Sequence, residues 1–114
     1  MTRDEFLTGL SALGSVDVRP QPNGTVLAVL EAQPAPGSGR RTRVAFMLGD
    51  PVTTRPQQFV DGDMRTRSGG VPNNWQTTVI GTDVFGTWSF NCPWDPNSDT
   101  AATLALAALA QWNR

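Results

Sequence analysis

A chain of 114 residues, 39% of them hydrophobic, has the size and apolar content of a single domain (1–114) with one core. Its net charge of −1 supplies no field that would draw it to nucleic acid or an acidic membrane surface, and no apolar run is long enough to span a bilayer. With no histidine, no lysine and one cysteine, an internal disulfide, a Cys/His metal site and any His-assisted nucleophile are excluded.

Residues 3–13 read as an amphipathic helix. Thr2 and Glu5 have capping-box spacing, Phe6, Leu7, Leu10 and Leu13 form the apolar stripe, and Gly14 is the stop. Val16 and Val18 alternate with charged residues in a short strand, and Pro20 to Gly24 makes the turn, with Asn23-Gly24 its most specific feature. A second strand is expected from Thr25 to Ala32. Gln33 to Arg41 reads as a flexible hairpin loop, and residues 42–48 as a third strand with Val44, Phe46 and Leu48 on one face. Arg55-Pro56 sets up a fourth extended piece, QQFVD. This antiparallel four-strand meander after one helix is the pattern of an α+β fold.

Residues 62–74 are rich in loop formers, and Thr77 to Ile80 can form a strand that turns at Gly81-Thr82-Asp83. In the strand that follows, Val84, Trp88 and Phe90 share one face, and Phe85, Thr87, Ser89 and Asn91 the other. Pro93 and Pro96 are expected to stop it, with Trp94 pinning the corner to the core. Asn97, Ser98 or Asp99 is expected to cap a final helix over 99–113. Leu104, Ala105, Ala108, Leu109 and Trp112 line that helix, and Leu106 and Ala110 widen the stripe until most of its surface is buried.

The order of elements resembles the ubiquitin-conjugating-enzyme (UBC) fold. The residues that carry the likeness are Phe46-Met-Leu48, Pro51, Arg55-Pro56, Phe59-Val60 and Trp94-Asp-Pro96 before a helix. Gly70-Val-Pro72-Asn73-Asn74 is similar to the family's His-Pro-Asn, whose asparagine supports the oxyanion of thioester attack. Two departures follow. Val71 stands where the histidine would, and the family's cysteine position falls on Gly81, Thr82 or Gly86, none of them a cysteine. A second long helix is also absent. The resemblance therefore implies a minimal, catalytically inactive variant (UEV-like). The same resemblance, to small bacterial variants of this kind, implies that the chain binds a ubiquitin-like modifier, or the enzymes that activate, transfer or remove one.

Cys92 is the only residue with thiol chemistry. It lies near Asp95 and Asp99 with no His or Lys to activate it, so it reads as a small half-buried hydrophobe. Its alternative role is an unorthodox thioester nucleophile, with Asn73 as oxyanion support. Asn73, Asn74 and Trp75 form either a recognition corner or a turn with a core tryptophan. Arg65 and Arg67, in a glycine-flanked loop, grip an anion or are simply solvated. Asp61, Asp63 and Asp83 lack the remaining ligands of a calcium loop, so no metal is expected, and no cofactor either. The expectation is a cytoplasmic, non-catalytic protein-binding module. An active conjugating enzyme using Cys92 and an unrelated α+β structural or assembly protein are the alternatives.

Overall fold

Thr2 opens the chain's first helix as its spacing from Glu5 predicts. The Thr2 hydroxyl accepts from the Glu5 N–H at 3.1 Å, and the Glu5 carboxylate accepts from the Thr2 N–H at 3.2 Å. The computed structural model describes residues 1–114. It contains α1 (Arg3–Ser11), β1 (Val16–Pro20), β2 (Val26–Ala35), β3 (Arg40–Leu48), β4 (Gln57–Asp61), β5 (Gln76–Ile80), β6 (Asp83–Thr87) and α2 (Ala101–Ala110). The fold is α+β.

The strands form one antiparallel sheet in the order β1-β2-β3-β4-β6-β5. The expected meander is present, but the sheet has six strands rather than four. The hairpin that follows the long loop does not stand apart. It enters at the far edge as β5 and returns as β6 beside β4. Gly81, at φ +66°, is the first residue of its two-residue turn, where glycine meets no steric penalty.

The β2–β3 register sorts the core. Val26, Ala28 and Leu30 stand opposite Leu48, Phe46 and Val44, and all six pack beneath the helices with Phe6, Leu10, Leu104 and Leu109. The opposite face carries a second, smaller core of Leu27, Val29, Ala45, Phe59 and Phe85. Both faces of the central strands are therefore buried, although only one has helices on it.

Several boundaries differ from the expectation. Much of Gln33 to Arg41 is strand, not loop, because a register shift between Leu30 and Gln33 lets pairing resume at Gln33–Thr42. Ala35 then returns to the core, and Ser38 closes the turn by donating to the Ala35 carbonyl at 2.7 Å. The strand after Asp83 ends at Thr87, well before Pro93. There, side chains replace the ladder. Thr87 donates to the Gln58 carbonyl at 2.7 Å, and the Gln58 amide donates to the Trp88 carbonyl at 2.8 Å. Trp88 and Phe90 are both buried, whereas Val84, expected on the same face, is exposed.

The last helix is capped by Thr100, not by Asn97, Ser98 or Asp99. Asp99 instead accepts from the Asp95 N–H at 2.7 Å within the preceding turn. The helix also buries less than expected, since Leu106 is 52% exposed and Ala110 is exposed. Trp94 does pin its corner, set edge-on to Phe6 at 5.9 Å and donating to the Thr100 carbonyl at 3.0 Å. No helix is long and apolar enough to cross a membrane.

Candidate functional site

The loop between β4 and β5 is anchored at both ends of its path. Met64 and Thr66 are buried, and the N–H groups of Arg67 and Ser68 donate to the carbonyls of Trp112 and Arg114 at 3.3 and 2.8 Å. The loop delivers Trp75, half-buried, onto Trp112 with centroids 5.4 Å apart and planes at 82°. The Trp75 ring occupies the space a side chain at Gly86 would need, so glycine is required there by close approach. Trp88 continues the aromatic chain, edge-on to Trp112 at 5.2 Å and to Phe90 at 5.8 Å.

Around this frame the structure gathers most of the residues singled out in the sequence. The Arg65 guanidinium lies 6.0 Å from the Trp75 ring centroid and donates to the Met64 carbonyl at 2.6 Å. Asn74 adopts φ 58°, a left-handed conformation its short amide side chain tolerates, and donates to the Ser89 hydroxyl at 2.6 Å. The Asn73 carbonyl accepts from the Ser89 N–H at 3.1 Å. Asn73 and Asn74 themselves remain exposed. The result is a polar-rimmed aromatic corner strapped to the segment after β6. Trp75 is thus both a packing residue and the half-exposed floor of that corner. Arg67 is exposed and makes no ion pair.

Sequence reasoning missed Arg55 and Ser89. An open depression of about 450 Å³ beside the corner is lined by Asn74, Ser89, Gln57, Gln76, Thr87 and Arg55, its only charged residue. The Arg55 guanidinium sits 4.8 Å from the Phe90 ring centroid, donates to the Phe90 carbonyl, and pairs with no acid. One fixed cation among neutral amides and hydroxyls suits a carboxylate or the carbonyls of a peptide. The available signal was Arg55-Pro56 itself, since proline holds the preceding residue extended at the mouth of β4.

Cys92 is half-buried against the main core, and its thiol donates only to the Pro93 carbonyl, at 3.7 Å. Asp61 and Asp83 are taken up by arginines. Arg43 donates to Asp61 at 2.7 Å and to Asp83 at 3.3 Å, and Arg19 donates to Asp83 at 2.6 Å. The hydrogen bonds from Arg19, then Arg43, hold the Asp83 carboxyl below the ordinary aspartate range. For Arg43, burial is the largest single influence and lowers its pKa, but the bonds to Asp83 and Asp61 outweigh it. Asp63 is exposed, and no three acidic or cysteine side chains converge as metal ligands would.

No family model, curated protein or solved structure matches this chain.

Proposed function

We propose that the protein is a non-catalytic, UBC-like interaction module of a bacterial ubiquitin-like conjugation system, acting in the cytoplasm. Its partner is a ubiquitin-like modifier or an enzyme that activates, transfers or removes one. The contact surface is the corner of Asn73, Asn74, Trp75 and Arg65, with Arg67 at its rim. Support for the fold assignment comes from the helix, the four consecutive antiparallel strands and the final helix. The observation that carries the non-catalytic reading is the seat of Trp75 on Gly86. By the resemblance the family's cysteine position falls on Gly81, Thr82 or Gly86, and at Gly86 the indole fills the space a side chain would need. A second such position, Gly81, forms the β5–β6 turn.

The test is an NMR titration of the labelled protein with a ubiquitin-like modifier and, separately, with its activating and removing enzymes. Saturable shifts at the Trp75 indole and the Asn74 amide, weakened at least about tenfold by Arg65→Glu, are expected. The absence of shifts with all of them overturns the reading. So does a reductant-labile adduct formed with activating enzyme, modifier and ATP and lost in Cys92→Ser, which would make the protein a conjugating enzyme.

A further inference from the structure

The sheet has two edges, and only one is defended against pairing with another chain. On β1, Asp17 and Arg19 put charge along the strand, and Pro20 ends it. The Gln21 N–H donates to the Thr25 carbonyl, so Pro20 beside it faces outward, where its missing N–H denies a neighbour one bond. β5, Gln76-Thr77-Thr78-Val79-Ile80, has no charge and no proline, and pairs with β6 without a bulge. Four of its five residues are exposed, Val79 by 65%.

The register decides which backbone groups lie free along that edge. The Val84 carbonyl accepts from the Gly62 N–H at 2.9 Å, on the β4 side. Val84 stands opposite Val79, so the two form a non-hydrogen-bonded pair and the N–H and C=O of Val79 turn outward. Thr77, two residues earlier, does the same. No turn, loop or cap contributes a backbone bond to either residue.

We propose that β5 is a self-pairing edge through which two copies of this chain form a closed two-fold dimer, antiparallel about Thr78. In that register Thr77 of each copy lies opposite Val79 of the other, and each such pair exchanges both of its free backbone bonds. Gln76 meets Ile80, Thr78 meets its own copy, and no like charges come together. Val79 of each copy covers Thr77 of the other, beside Val84, which is 51% exposed in the single chain. A second copy is the occupant that the two edges select. Pairing β5 with β1 would be head-to-tail and open-ended, and Pro20, Asp17 and Arg19 oppose it. Pairing β5 with itself closes. The dimer does not depend on the partner reading above.

Sedimentation velocity between about 5 µM and about 1 mM spans the affinities of a small strand-to-strand interface. The expected result is a shift from one chain to two, with the Kd raised at least about tenfold by Val79→Lys and unchanged by Val18→Lys on β1. Hydrogen exchange supplies the residue-level readout. The Thr77 and Val79 amides should slow as concentration rises, while that of Thr78, already bonded within the hairpin, should not change. A single chain at every concentration overturns the proposal. So does a dimer that survives Val79→Lys with both amides still fast, or growth beyond two chains. A single chain whose two amides slow only when a different polypeptide is added overturns it as well.

Discussion

Arg19 of β1 donates to Asp83 of β6 at 2.6 Å, although three strands lie between theirs in the sheet. In a flat sheet those strands would stand about 19 Å apart, four spacings of about 4.8 Å. The sheet therefore curls until one arginine spans the gap. Arg43, from the strand midway, reaches the same carboxylate and lies over the Phe85 ring at 5.0 Å. The ion cluster roofs the small second core.

That arrangement makes stability depend on pH with a definite sign. The native Asp83 pKa lies below its unfolded value, so its contribution is complete above the ordinary carboxyl pKa of about 3.9 and is lost as pH falls through the lowered native value. Asp83→Asn should therefore be less stable than the wild type at neutral pH, the gap narrowing towards about pH 2. Urea midpoints for both proteins across that range test this, and a gap constant with pH would contradict it.

The second core should carry real stability despite having no helix over it. Phe59 and Phe85 are 3% and 0% exposed and meet edge-on at 6.4 Å. Phe59→Ala is expected to cost about 3–5 kcal/mol, as for a fully enclosed aromatic. A loss under about 1 kcal/mol in chemical denaturation would mean that this face is open to solvent.

Gly86→Ala should displace Trp75, because the added methyl collides with its six-membered ring. The expected cost is about 1–3 kcal/mol, typical of overpacking, with a change in tryptophan emission as the indole leaves Trp112. Unchanged emission and stability would show that the corner is loosely held.

At α2 two substitutions separate capping from burial. Thr100 accepts from the Thr103 N–H at 3.1 Å, so Thr100→Ala should cost about 1 kcal/mol and leave a cooperative transition. Leu109, 1% exposed, lies in the main core. Leu109→Asp should leave no folded protein by circular dichroism, since a buried carboxylate has no partner there.

What the sequence determined by itself was local. Thr2 and Glu5 set the first cap, alternation along residues 42–48 set the core face of β3, and Asn23-Gly24 set the first turn, because each depends on atoms a few residues apart. Among the site residues the Asn73–Asn74 turn was legible for the same reason, whereas the seat of Trp75 on Trp112 and Gly86 joins distant segments. Tertiary structure decided everything that needed two distant segments. Pro34 and Ala35 read as loop formers, yet they are strand because Arg41 and Arg40 lie opposite. Asp61 meets Arg43 directly across the β3–β4 pairing, and only the curl of the sheet brings Arg19 and Arg43 to Asp83. Arg55 became part of a site only when Phe90, thirty-five residues on, supplied the ring and carbonyl that hold it. Short-range hydrogen bonds and side-chain alternation are written in the order of residues. Sheet curvature, ion pairing across it and the meeting of loops are set by the packing free energy of the whole chain, which no single stretch contains.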